Sequence, residues 1–188
     1  METRCLIALI DEASGTSLQR RTRGSTQLVQ SQAMKEPLAR APYAVRRGEA
    51  PGYTFASGNR VEVKVGERQS DGRLTFIEGT HMPHTGPPLH VHDDVDEIFY
   101  VLEGTYAITC GETVFDADPG TLVFVPRGTS HKYQPGSGGG RMLLVYAPGG
   151  FEGYFEERQR DEARHGGSLP PDQLDSLGRK YGMRLDGR

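Results

Sequence analysis

HVHDDVDEIFYVLEG, running from His90 to Gly104, sets two histidines one residue apart, a carboxylate at Glu97, and then an apolar run that ends on glycine. Successive side chains of an extended strand point to opposite faces, so His90 and His92 point the same way. Asp93 to Asp96 is long enough to reverse the chain, and the next strand returns Glu97 beside the histidines. Two imidazoles and one carboxylate brought together suit a borderline divalent cation. Each residue also has a plainer role, as a packed strand histidine or a solvated acid. The acidic turn Asp93-Asp94-Val95-Asp96 is read as a solvated loop rather than a calcium site.

Working outward, the flanks have the texture of short strands. Val61 to Val65 alternates apolar and polar residues, as a strand with one wet face should. Further strands are expected at Arg73 to Glu78, Leu89 to His92 and Glu97 to Leu102, with Gly104 marking a turn into Thr105 to Cys110. Others follow at Thr113 to Phe115, Thr121 to Val125, His131 to Tyr133 and Arg141 to Ala147, separated by Gly- and Pro-rich breaks. Roughly nine strands with close turns predict an all-β sandwich or barrel. No helices lie between them, which argues against a doubly wound fold. Beyond the strands, Phe151, Tyr154 and Phe155 recur at helical spacing. Pro170-Pro171-Asp172 opens a second helix with Leu174 and Leu177 on one face, and Gly182 stands where it would stop. These helices are expected to pack outside the barrel or against a second subunit. The resulting division is an irregular N-terminal arm at 1–40, a barrel at 41–148 and a helical extension at 149–188. Met34, just before the ordered pattern, is an alternative start.

The bulk numbers set limits. A chain of 188 residues has room for one substantial core. A formal charge of −3 with scattered basic residues offers no nucleic-acid footprint. Cys5 and Cys110 form no disulfide framework, which fits a reducing compartment. The apolar run from Cys5 to Ile10 is too short for a signal core or a membrane span. A soluble cytoplasmic protein is expected.

A second segment completes the pattern. Gly120, Pro126, Gly128 and His131 place a strand, a tight loop and a third inward histidine. Together with His90, His92, Glu97 and Gly104, they resemble the two motifs of the cupin superfamily, with residues 105–119 between them as in a hairpin pair. Two positions depart from that pattern: His84 stands where the first motif opens with glycine, with Gly86 two residues later, and Pro135 stands where the second closes with asparagine. The resemblance spans about residues 42 to 148, and the appended helices are similar to those of small single-domain cupins described as quercetin 2,3-dioxygenase-like.

The resemblance implies a single jelly-roll (double-stranded β-helix) cupin barrel with short C-terminal helices. It also implies one divalent transition metal ion (Fe, Mn, Ni, Cu, Co or Zn) ligated by His90, His92, Glu97 and His131. Four protein ligands leave an open position, as a catalytic metal requires. The activity implied first is a metal-dependent oxygenase acting on a small aromatic or enolisable substrate, with Glu97 also taking the substrate's proton. A non-oxidative isomerase or polyketide-cyclase-like activity and a metal-dependent ligand-binding module are the alternatives. Phe99 and Val101 share Glu97's face and are candidate pocket walls, with Tyr100 pointing the other way. Tyr133 either faces the pocket or packs in the core. His81 and His84 either line the entrance, donate to a substrate oxygen, or have solvent-exposed or structural roles. The expected partners are a small-molecule substrate and, through edge strands, a second copy of the chain, with neither nucleic acid nor membrane.

Overall fold

The computed structural model describes residues 42–187. The expected arm at 1–40, with Cys5 and Met34, lies outside the described residues. The elements are β1 (Gly52–Thr54), β2 (Arg60–Val65), α1 (Glu67–Ser70), β3 (Thr75–His81), β4 (His90–His92), β5 (Asp96–Cys110), β6 (Thr113–Ala117), β7 (Leu122–Val125), β8 (His131–Ala147), α2 (Glu152–His165), α3 (Pro171–Arg179) and β9 (Met183–Leu185). The strands pair antiparallel in the order β1-β2-β3-β8-β4-β9, while β5 pairs with β6, β7 and β8. The architecture is an all-β jelly roll with short C-terminal helices.

Two long strands organise the roll. The first part of β8, His131 to Pro135, pairs with the far end of β5, and its second part, Gly140 to Ala147, pairs with the near end. The second part also pairs with β3 on its other edge. The expected turn at Gly104 is therefore an irregularity within one continuous strand. In β5 the buried positions are Glu97, Phe99 and Val101 before it, but Tyr106 and Ile108 after it. The inward set moves from odd to even numbers because the register shifts between Val101 and Glu103 and again between Gly104 and Tyr106. A bulge adds residues on one strand and so exchanges its two faces. Gly104 permits this, with φ of +76° and only 2.3 Å between a would-be Cβ and the Gly139 carbonyl oxygen. Likewise, the two strands expected at His131–Tyr133 and Arg141–Ala147 are one, joined through Gly136 to Gly140.

The core sits between the inner faces. Ile77, Phe99, Ile108 and Met142 are fully buried, and Leu144 is nearly so; each contributes roughly 1.5–3 kcal/mol through burial. The strand expected from Arg73 begins instead at Thr75, because Leu74 is held in a turn by Ser70, whose hydroxyl donates to the Leu74 carbonyl at 2.6 Å. At the other end, α2 is tied to the sheet by Glu152, which accepts from the Glu67 amide at 2.5 Å and from the Thr75 hydroxyl. The helix stops at Gly166, whose φ of +79° is the left-handed conformation that glycine adopts freely. β9 had no signal of its own in the sequence. It docks on the outer edge of β4, with His90 opposite Leu185 and His92 opposite Met183. No helix among the described residues is long and apolar enough to cross a membrane.

Candidate metal centre

Three strands deliver the four residues. His90 and His92 come from β4, Glu97 from the start of β5, and His131 from the start of β8, directly opposite His90. All four are buried, between 1% and 5% exposed. Val91, which alternation sends to the other face, is buried as well. One donor atom from each of the four can be chosen so that all lie within 4.8 Å of one another.

The local backbone decides which nitrogen faces inward. His90 Nδ1 donates to the Pro88 carbonyl at 2.9 Å, and His131 Nδ1 donates to the Thr129 carbonyl at 2.8 Å. A ring that spends its Nδ1–H on a carbonyl leaves Nε2 to act as a ligand. His131 Nε2 lies 2.9 Å from Glu97 Oε2, and His92 Nε2 lies 3.5 Å from the same oxygen, too far for a good hydrogen bond. Among the described residues, both ring nitrogens of His92 are buried with no hydrogen-bond partner. Buried polar atoms without partners are rare, and a cation held on Nε2 would remove one of these two. The donor set of three imidazoles and a carboxylate also suits a borderline transition ion better than the all-oxygen preference of calcium or magnesium. The residues present therefore fit a metal.

A cation here would compete with a proton shared between Glu97 and His131. Burial by itself would raise the Glu97 carboxyl, but the hydrogen bond from His131 and the neighbouring imidazoles outweigh it and hold the group well below the usual carboxylate range. For His131 burial works downward, and contact with Glu97 more than reverses it, so the ring holds its proton more firmly than a free histidine. Burial, with the charges of His131 and His92, pushes His90 down to about 3, so it stays neutral and able to ligate. The acidic turn below the site is a solvated loop. Asp96 is gripped by Arg127 through two side-chain bonds of 3.0 and 2.9 Å and pulled down to about 2, and Asp93 meets Arg184 at 3.2 Å.

Residues 78–146 match the family model described as a cupin domain. This chain carries a cupin domain. It is 27% identical over 120 residues to the quercetin 2,3-dioxygenase of Bacillus subtilis, across 63% of this chain and 35% of that protein. It is 38% identical over 53 residues to an uncharacterized protein of Streptomyces coelicolor, across 28% of this chain and 50% of that one. The chain thus spans no more than half the length of these curated relatives. Among solved structures, KdgF from Halomonas sp. superposes with a TM-score of 0.51 at 15% identity, over 57% of this chain and 95% of its own. The polyketide cyclase RemF from Streptomyces resistomycificus superposes at 0.50 with 22% identity, over 57% and 80%. At these identities the likeness is one of fold.

Above the cluster the cupin roll encloses a cavity of about 90 Å³, lined by His90, His92 and Glu97 and by a largely aromatic wall. Tyr133 is on that wall, but Phe99, Val101 and His84 are not. Phe99 and Val101 do point inward with Glu97, yet they pack so completely, at 0% and 1% exposure, that they support the site from behind. Phe99 meets the Tyr133 ring edge-on at 5.6 Å. His84, at φ of +57°, lines a separate surface hollow beside Thr105 and Gln134. Tyr100 points outward, 38% exposed.

Several residues of the cavity were not read as site residues in the sequence. The helix α2 does not merely coat the outside of the roll. Its face of Phe151, Tyr154, Phe155 and Arg158 lines the cavity, and Phe151 meets His92 edge-on at 4.6 Å and stacks on Tyr146 at 4.7 Å. Arg158 lies 4.5 Å over the Phe55 ring and pairs at 2.9 Å with buried Glu162, which also accepts from the Ala56 amide at 2.7 Å. The aromatic spacing was visible as a helix face; that the face covers the histidine–glutamate cluster was not. Burial above all, with the Glu97 charge behind it, pushes the Tyr146 phenol well above 10. Of the roles open to His81, solvent exposure is excluded at 3%: the ring lines the cavity and is held structurally between Tyr106 and Tyr133.

Proposed function

We propose that this cupin domain is a metal-dependent oxygenase for a small aromatic or enolisable substrate. The observation that carries the reading is the buried cluster of three imidazoles and a carboxylate, its ring nitrogens oriented by backbone carbonyls, on the floor of an aromatic-walled cavity. His90, His92, Glu97 and His131 would hold one divalent transition ion, which supplies a Lewis-acidic and redox-capable centre when bound. Glu97 accepts the proton of an incoming enol or phenol, at the carboxylate oxygen that otherwise faces His131 and His92. Phe151, Tyr154 and Phe155 give a flat substrate an apolar surface and keep bulk water from the cluster. Arg158, its charge balanced by Glu162, adds donors at the far side of the cavity without an unpaired charge.

A non-oxidative isomerase or cyclase is the second reading. It is favoured by the His81–Tyr133 pair, which brings a polar group to the cavity wall that needs no oxygen to act.

The test is elemental mass spectrometry on tag-free protein beside a His131→Ala control. An oxygen-uptake screen over enolisable and hydroxyaromatic compounds follows. About one metal ion per chain, lost in the control, with substrate-dependent oxygen uptake, is the expected result. Turnover without oxygen would move the assignment to the isomerase or cyclase. A protein that takes up no metal even on reconstitution overturns both.

A further inference from the structure

Three side chains from three strands form a chain of hydrogen bonds beside the cavity. His81, at the end of β3, has Nδ1 2.9 Å from the Tyr106 hydroxyl of β5 and Nε2 3.0 Å from the Tyr133 hydroxyl of β8. Burial holds the ring down to about 4, so at neutral pH it carries one N–H and one lone pair. One tyrosine must therefore donate to the ring and the other must accept from it.

Burial decides which. Tyr106 is 2% exposed, and among the described residues its hydroxyl has a hydrogen bond only with His81. If Tyr106 accepted from the ring, its own proton would be stranded in the core, the costly case for a buried donor. Tyr133 stands on the cavity wall, where its proton can be used by whatever the cavity holds. The low-cost arrangement runs one way: Tyr106 O–H donates to His81 Nδ1, and His81 Nε2–H donates to the Tyr133 oxygen. A ring N–H cannot accept, so the Tyr133 proton cannot turn back to His81. It is directed into the cavity, and the chain of donors polarises it further.

We propose that Tyr133 is a fixed hydrogen-bond donor to a substrate oxygen, and that His81 and Tyr106 are the positioning residues that aim it. Resting on the metal-site reading above, this narrows the substrate to a planar molecule with two oxygens. One is a phenol or enol oxygen for the His–Glu cluster, and the other is a carbonyl or oxyanion acceptor for Tyr133. A substrate offering only a second donor is disfavoured, because His81 already donates to the Tyr133 oxygen and the hydroxyl's proton is left to be given.

The test has two independent readouts. Long-range nitrogen–proton NMR of the imidazole rings, on metal-free wild-type protein, reports the His81 tautomer without any ligand. The Nε2–H form is expected. A dominant Nδ1–H form in the wild type overturns the proposal. The second readout is nitrocatechol binding to metal-loaded protein, followed by its visible absorbance. Tyr133→Phe should weaken it about tenfold, the worth of one neutral hydrogen bond, at unchanged metal content. Tyr106→Phe removes no cavity atom and should weaken it by a smaller factor. Unchanged affinity in Tyr133→Phe overturns the donor role. If no variant binds metal, the metal-site reading fails by itself, while the tautomer still decides how the hydroxyls are oriented.

Discussion

Acid should unfold this domain partly through one residue, His81. Its ring is buried at 3% exposure and its pKa is pushed from 6.5 to about 4 by loss of solvent. The unfolded chain releases it to the ordinary value, so between those two pH values the unfolded state binds a proton that the folded state does not. Stability therefore falls as pH drops from 6.5 toward 4 and is unaffected by this group above that window. At 1.36 kcal/mol per pH unit the full shift is worth about 3 kcal/mol, with most of it lost by pH 4.5. His90 titrates over an overlapping range, so the comparison must be between two proteins. Urea unfolding of metal-free wild type and His81→Gln, measured at pH 7.5, 6 and 4.5, isolates the term. Glutamine keeps a donor and an acceptor for the two tyrosines but cannot titrate. The variant should be less stable than wild type at pH 7.5, with the gap narrowing by about 2–3 kcal/mol on acidification. Parallel pH profiles for the two proteins would refute the assignment of a burial penalty to His81.

Other substitutions probe the site and the frame that holds it. His92→Ala and His131→Ala should each lose most bound metal by elemental analysis while far-UV circular dichroism stays that of a β protein; full metal in both would remove the proposed centre. Glu97→Gln keeps shape but discards the charge, and its metal affinity in a competition titration should fall by more than the roughly 10–100-fold seen for residues one layer out. An unchanged affinity would show that the carboxylate is not a ligand. Gly104→Ala must place a Cβ 2.3 Å from a backbone oxygen at positive φ, whereas Gly111→Ala meets only the positive φ in open space. The second should cost about 1–2 kcal/mol and the first clearly more; equal denaturation midpoints would argue that the β5 bulge relaxes freely.

The sequence alone pointed to the four candidate ligands and to much of the strand pattern. Alternation put His90 and His92 on one face, and the return through Asp93–Asp96 brought Glu97 to them, because both follow from the two-residue period of an extended chain and the length of a turn. Glycines 104, 120 and 128 were legible for a local reason as well, since each holds a positive φ that other residues resist. The helix at 152–165 could be read from its aromatic spacing.

What lay beyond the sequence is non-local. No period in residues 97–110 announces that the chain continues through Gly104 as one strand while exchanging its faces. That depends on where β8 bulges against β5, a register set by the partner strand. Phe99 and Val101 were placed on the right face but at the wrong depth, because depth depends on how many layers pack over a strand. The covering of β4 by Met183 to Leu185, the seating of Phe151 on His92 and the Tyr106–His81–Tyr133 chain each join segments far apart in sequence. Local chemistry chose which side chains face inward; only the closing of the roll decided which of them meet.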